Sequence, residues 1–243
     1  MFKPAILALA DGTIFRGKSF GYQGVTTGEL VFNTSMTGYQ EILTDPSYAG
    51  QIVTFTYPLI GNTGTNFQDN ESQQVWCKAI VTRELPTAPS NFRSQMSLSD
   101  FLIQQKIPAI AEIDTRQLVH ILREKGSQNA CLMCGESDAK EAINLAKNAL
   151  SMSEVDWVNH VSTDAPYVWT ETTWMKQNNI HLFTNDSSQI EPHIVVIDYG
   201  VKLSILRLLA DLPCKITVVP PSYNFEQLIA LKPDGVVLSN GPG

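Results

Sequence analysis

The last eleven residues, Pro233 to Gly243 (PDGVVLSNGPG), carry the residue types best placed for chemistry. Pro233, Asp234 and Gly235 signal a turn, because proline presets φ and glycine accepts positive φ. Val236, Val237 and Leu238 then form a short apolar run, as expected for a strand covered on both faces in a parallel sheet. That run opens into Ser239-Asn240-Gly241-Pro242-Gly243. Glycines beyond the C-terminal end of such a strand let bare backbone approach a ligand and aim N–H groups at it. A loop of this kind could hold a carboxylate, a phosphate or a developing oxyanion; an ordinary Gly-Pro loop is the competing reading. A compact domain rarely stops at the rim of a buried strand, so a truncated protein is the expectation.

Three other stretches imitate chemistry. Gly12 to Ser19 (GTIFRGKS) matches the phosphate-loop expression GxxxxGK[ST]. That mechanism needs a loop between a buried strand and a helix whose N-terminus faces the phosphates. Here the interior alternates like a strand, and Gly21 and Gly24 oppose a following helix, so the match reads as coincidence. Cys131 and Cys134 form a C-x-x-C, but three residues apart in a strand they point to opposite faces, and no second pair completes a zinc site. His120, on a periodic helical segment without a supporting Cys or Asp, reads as a surface histidine. No metal site is expected.

The elements that must position the terminal loop come next. Ile194 to Ile197, Lys215 to Val219 and Val236 to Leu238 read as strands, separated by helices over Lys202 to Leu209 and Phe225 to Leu231. Strand-helix-strand-helix-strand at this spacing predicts right-handed βαβ units in a parallel sheet, with ligands beyond the strand C-terminal ends. Both Asp198-Tyr199-Gly200 and Ser239 to Gly243 would lie there. No G-x-G-x-x-G follows the first strand, which disfavours a dinucleotide site. Upstream, residues 5–10 and 13–15 flank Asp11-Gly12 as a hairpin. Further strands are predicted over 30–32, 52–57 and 75–82, with helices over 99–106, 115–125 and 138–150. The small polar residues between Asn33 and Asn66 form a loop cluster on this β scaffold, as turns or as a surface for a ligand or partner. The predicted organisation is a β-rich α/β domain over 1–150, a tryptophan-bearing linker over 151–190 centred on Asn185 to Ser188, and a second domain from 191 to 243.

Composition bounds the function. A chain of 243 residues, 43% apolar and 17% charged, needs no disulfide or metal to hold a core. The net charge is −7 and its 17 Lys and Arg are scattered, which argues against nucleic acid as a partner. No apolar run is long enough for a membrane span, and the six-residue run near the N-terminus is too short for a signal peptide. Four cysteines without a dense framework fit a reducing compartment, so the cytoplasm is expected.

Between Phe32 and Asn62, FNTSMTGYQEILTDPSY followed by QIVTFTYPLIGN resembles the N-terminal signature of the small, glutamine-hydrolysing subunits of carbamoyl-phosphate synthases. The likeness continues through Ser90 to Arg93, Ala109 to Leu118, Leu122 to Leu132 and Val195 to Leu209, and ends in PDGVVLSNGPG. That loop also resembles the oxyanion loop of class I glutamine amidotransferases. The resemblance implies an N-terminal β/β/α domain followed by the first half of a doubly wound, parallel-sheet amidotransferase domain. It further implies that a cysteine thiolate in a G-x-C-x-G turn, aided by His and Glu, attacks glutamine's side-chain amide. None of Cys77, Cys131, Cys134 or Cys214 has that context; Cys77 and Cys131 are read as strand residues. All three catalytic residues are therefore expected beyond Gly243, and a 243-residue chain is expected to be inactive alone.

Carried over by the resemblance, Ser47, Gly241 and Gly243 contact L-glutamine, with the Gly241 N–H helping to hold the oxyanion. The implied partner in a heterodimer is the large synthetase subunit, which carries ATP and Mg and turns the ammonia into carbamoyl phosphate for arginine and pyrimidine synthesis. No cofactor is expected in this chain. The rival readings are a non-catalytic docking module, another class I amidotransferase and, remotely, a P-loop nucleotidase.

Overall fold

The structure, a computed structural model, describes residues 2–86, 88–135, 138–178 and 191–242. Two units emerge: residues 1–44 with 48–155, and residues 45–47 with 156–243.

The first unit runs β1 (Lys3–Leu9), β2 (Ile14–Ser19), β3 (Val25–Asn33), α1 (Tyr39–Thr44), β4 (Gln51–Phe55), β5 (Ala79–Val81), α2 (Leu98–Gln104), β6 (Ala109–Ala111), α3 (Thr115–Lys125), β7 (Gln128–Cys134) and α4 (Ala139–Lys147). Its strands close into a seven-stranded barrel in the order β1-β2-β6-β5-β4-β3-β7, parallel from β3 through β6 and antiparallel elsewhere. Strand alternation explains its two layers. Ala5, Leu7 and Leu9 join Leu30, Ile52, Val81, Ile110 and Leu132 in the inner core, with Leu118 and Leu122 of α3 packed onto it. Ile6 and Ala8 face outward under Ala142 and Ala146 of α4, beside Cys131 and Met133. Val53, Phe55 and Ile80 point outward under Leu43 of α1 and Leu98 and Leu102 of α2. A barrel of this size is filled by its own side chains rather than open as a pore.

The predicted hairpin at Asp11-Gly12 is present, with Ala8 opposite Ile14 and Gly12 at φ 93°. The phosphate-loop look-alike is strand β2, and Lys18 pairs with Glu112 at 3.0 Å across the surface. Helix α3 is capped as its sequence indicates, the Asp114 carboxylate accepting from Gln117 N at 2.9 Å and Gly126 ending it at φ 83°. The strand expected over 75–82 shrinks to Ala79–Val81, so Cys77 lies outside it. Trp76 N donates to Leu43 O and Lys78 N to Gln51 O, holding Cys77 in the buried core before strand pairing begins.

The Asp11 carboxylate is held as a charge by its neighbours. Burial disfavours its ionisation, but hydrogen bonds from Lys125 Nζ at 2.7 Å and Thr13 N at 2.9 Å outweigh that and lower its pKa to about 2. A depressed carboxylate pKa contributes stability above the unfolded value near 4, lost as pH falls toward the folded value. Asp11→Asn is therefore expected to cost about 0.5 kcal/mol at pH 7, in the range for a solvated pair. The difference from wild type should shrink between pH 4 and pH 2; urea midpoints at pH 7 and pH 3 check this, and an equal difference at both would refute it.

The second unit contains α5 (Trp157–Val161), β8 (Tyr167–Trp169), α6 (Trp174–Gln177), β9 (His193–Ile197), α7 (Leu203–Ala210), β10 (Lys215–Val219), α8 (Phe225–Ala230) and β11 (Gly235–Leu238). The sheet order is β11-β9-β10-β8, with β11, β9 and β10 parallel and β8 antiparallel. Val196, Ile216, Val218 and Val237 pack with Leu206 of α7 on one face, while Val195, Ile197 and Val219 pack with Leu228 near α8 on the other. The βαβαβ reading of 193–238 is what the structure contains.

Two expectations change here. The stretch read as linker over 151–190 contributes α5, β8 and α6 to this unit, and the unit takes in residues from 156. Tyr167 and Trp169 alternate inward onto the α7-side cluster, a signal only three residues long. Asn185 to Ser188 lie outside the described residues. Strand β11, expected to be covered on both faces, is covered on one: Val236 and Leu238 are 48% and 67% exposed. It is an edge strand.

Candidate functional site

In the second unit, three loops converge past the C-terminal ends of β9 and β11. The first follows β9. Asp198 is buried, and its Oδ1 accepts from Gly200 N and Val201 N, both at 2.8 Å, while Oδ2 accepts from Thr163 N at 2.8 Å. Three backbone donors on one carboxylate fix the turn at Tyr199-Gly200, where Gly200 sits at φ 112°. A side chain at Gly200 would be both strained and within 2.7 Å of Val161 Cγ2.

The second loop follows β11. Ser239 N donates to Ile197 O at 3.1 Å, extending the ladder by one residue, and Ser239 Oγ accepts from Tyr199 N at 2.8 Å. The two loops are stacked so closely at Gly241 that a Cβ there would lie 2.0 Å from the Tyr199 carbonyl oxygen. Gly241 is thus required by the chain's own packing. Gly243 lies outside the described residues.

The third piece is Asp45–Ser47, which belongs with this unit although it follows α1 in the chain. Pro46–Tyr48 forms a 3₁₀ turn, and Ser47 N donates to Asp45 Oδ1 at 2.9 Å. Asp45 Oδ2 stands 3.4 Å from Lys202 Nζ. One side chain ties the three pieces together. Asn240 Nδ2 donates to Ser47 Oγ at 3.0 Å and to Gly200 O at 3.1 Å, and Asn240 Oδ1 accepts from Lys202 N at 3.1 Å. Ser47 and the terminal loop, named separately from sequence, are thereby joined across 193 positions.

Lys202 was not singled out from sequence, and Asp198 and Asn240 were named only by their places after the first and third parallel strands. An asparagine in a glycine-rich loop reads as a turn former, and the only signal for Asp198 was its place after the first parallel strand. The grouping offers a hydroxyl, an ammonium beside a carboxylate, and backbone of a glycine loop. That set can hold a small zwitterion or polarise a carbonyl.

No thiol in the described structure is set up as a nucleophile. Burial pushes Cys77 up to about 12 and Cys131 up to about 11, and raises Cys134 and Cys214 as well. Cys131 packs on the outer layer and Cys134 on the inner, as opposite faces of β7 require. His120 is 71% exposed and lies 3.3 Å from Glu124. His193 is held by Leu231 O and Thr217 Oγ1. Among the described residues no group of three metal-ligating side chains occurs, and no helix is long and apolar enough to cross a membrane.

Comparison with known proteins gives two family matches. Residues 7–132 match the carbamoyl-phosphate synthase small chain, CPSase domain, and residues 195–243 match glutamine amidotransferase class-I. The carbamoyl phosphate synthase small chain of Pseudomonas syringae pv. tomato is 53% identical over 244 residues, covering 100% of this chain and 64% of that protein. The small chain of Pasteurella multocida is 53% identical over 243 residues, covering 100% of this chain and 62% of its own length. The chain thus spans under two thirds of the length of these relatives. Among solved structures, an aminopeptidase from Aneurinibacillus sp. strain AM-1 overlaps at a TM-score of 0.31 and 10% identity, covering 98% of this chain and 59% of that one, which carries no argument. With one family match spanning more than half the chain and identity running along all of it, the chain belongs to the carbamoyl-phosphate synthase small-chain family.

Proposed function

We propose that this chain serves the glutamine-hydrolysing small subunit of a carbamoyl-phosphate synthase, as the part that binds glutamine and presents its amide carbonyl to the oxyanion loop. The observation that carries this reading is the hydrogen bond from Asn240 to Ser47, which couples the two stretches assigned to glutamine. In this reading residues 193–242 form the first half of a doubly wound amidotransferase domain. Ser47 contacts the substrate, and Gly241 and Gly243 supply backbone donors. As the amide carbon becomes tetrahedral, charge gathers on its oxygen, and a preorganised N–H at Gly241 would hold it without reorganisation. The thiolate, histidine and glutamate that complete the chemistry lie outside residues 1–243.

Ammonia released in this way would be protonated in water and lose its nucleophilicity. Direct transfer to a large synthetase subunit avoids that loss, with ATP and Mg bound there rather than here. The products would feed arginine and pyrimidine synthesis in the cytoplasm.

The test compares three preparations: residues 1–243, the full-length small chain, and the full-length chain with its large subunit. Glutamate release is expected from the latter two and not from the first. Glutamate release by residues 1–243 would overturn the placement of the nucleophile. A full-length chain that joins the large subunit without hydrolysing glutamine would favour a docking module instead.

A further inference from the structure

The first unit carries a polar pocket of about 150 Å³ that the glutamine reading does not use. It lies where α1 meets the turns at 63–70 and 90–95, and Tyr39, Glu41, Thr63, Asn66, Asp69 and Arg93 line it. Its walls are fixed. Thr63 Oγ1 donates to Tyr39 Oη at 2.9 Å, and Tyr39 Oη to Gly64 O at 2.5 Å. Asn66 N donates to Gln40 Oε1 at 3.0 Å, and Asn66 Nδ2 to Asp69 Oδ2 at 2.7 Å. Arg93 Nη2 binds Asp69 Oδ1 at 2.6 Å, joining the two turns. Preformed walls of this kind lower the ordering cost of binding.

The charge of the pocket is lopsided. Between Lys18 and Lys78 the chain has five acids, Glu29, Glu41, Asp45, Asp69 and Glu71, and no Lys or Arg. Glu41 is desolvated on the wall, which raises its pKa; its own backbone N–H and Arg93 oppose that, while Asp69 and Glu71 add to it. The one cation lining the pocket, Arg93, is committed to Asp69. A further positive charge brought against Glu41 would therefore be favoured.

The flanks of the pocket carry exposed apolar side chains. Phe67, next to Asn66, is 75% exposed, and Phe92, next to Arg93, is 88% exposed. Their turns are tied together by the Asp69–Arg93 pair and by Phe67 N donating to Gln95 Oε1 at 3.0 Å. Two phenylalanines held in solvent beside a charged pocket have the composition of an interface centre, where aromatics are enriched and one desolvated charge pair sets the register.

We propose that this pocket receives a lysine or arginine side chain of a protein partner, with Phe67 and Phe92 as the apolar flank of the contact, and that the partner is the large synthetase subunit. The choice of partner rests on the function proposed above; the charge and the aromatic flank are properties of this chain. Arginine or lysine reaching Glu41 would lay its alkyl stem along this apolar flank and replace the water that Glu41 has lost.

The experiment measures the affinity of the full-length small chain for the purified large subunit by calorimetry at several salt concentrations. The variants are Glu41→Gln, which keeps the shape and removes the charge, and the double variant Phe67→Ser with Phe92→Ser. Each is expected to raise Kd about 10-fold or more, and Glu41→Gln to flatten the salt dependence. Glutamine hydrolysis by the isolated full-length variants should match wild type, showing that they fold. Wild-type affinity and salt dependence in both variants would overturn the proposal. So would Glu41→Gln dispersing a homo-oligomer in sedimentation while leaving the large-subunit Kd unchanged, because the occupant would then be a second copy. Failure of the wild-type chain to bind the large subunit would overturn the functional reading and this inference with it.

Discussion

Replacing Gly241 by valine in the full-length chain is expected to cut kcat/KM for glutamine hydrolysis by about 10²–10³, the usual cost of one lost oxyanion donor. The structural cause is internal. A Cβ at position 241 would stand 2.0 Å from the Tyr199 carbonyl oxygen and 2.8 Å from its carbon, both backbone atoms. Neither can turn aside as a side chain can, so the loop after β11 must lift from the loop after β9. Lifting it redirects the Gly241 N–H, since the loop's direction is set by the Ser239 and Asn240 bonds just before it. Alanine is already too large, so Gly241→Ala should show most of the loss. Gly235→Ala, on the strand that leads into this loop, is the control, because its Cβ would meet only Ile194 Cδ1, at 3.2 Å. That atom ends a flexible side chain, and activity should survive. Steady-state glutaminase assays with thermal melts decide the matter: a folded Gly241→Ala chain with wild-type kcat/KM would refute the argument.

The parallel sheet was readable in advance because each strand is an apolar run bounded by turn residues, and α8 opens on an Asn224 cap. His193–Ile197, Lys215–Val219 and Gly235–Leu238 all fall within a residue of the runs that announce them. Closure of the barrel was not readable. It depends on β2 finding β6 and β3 finding β7, pairings about 90 to 110 positions apart whose partners no local pattern names. Nor were β6 and β8, since three residues carry too little alternation to stand out from a loop. The site divides the same way. Gly241 announces itself by backbone freedom, whereas the value of Asn240 comes from where its amide points once three loops have met.

That amide supplies the second large effect. Asn240→Ala in the full-length chain removes the donor to Ser47 Oγ and Gly200 O and the acceptor for Lys202 N. Three buried or half-buried groups then lose their partner, and Ser47 is free to turn away. Misplacing a substrate contact by about 1 Å can cost 10²-fold, so kcat/KM for glutamine should fall about 10–100-fold, most of it in KM. In the proposed function Ser47 is the substrate contact, so Ser47→Ala should fall in the same range. If Asn240 acts through Ser47, the two losses cannot add. The double variant should then resemble the worse single one, with a coupling of about 1–2 kcal/mol in the mutant cycle. Full additivity would mean that Asn240 serves the loop alone and that Ser47 is held by its other neighbours. The Asp45 carboxylate, which accepts from Ser47 N and faces Lys202 Nζ, would then be the group positioning the serine. Asp45→Asn would in that case carry the loss that Asn240→Ala does not.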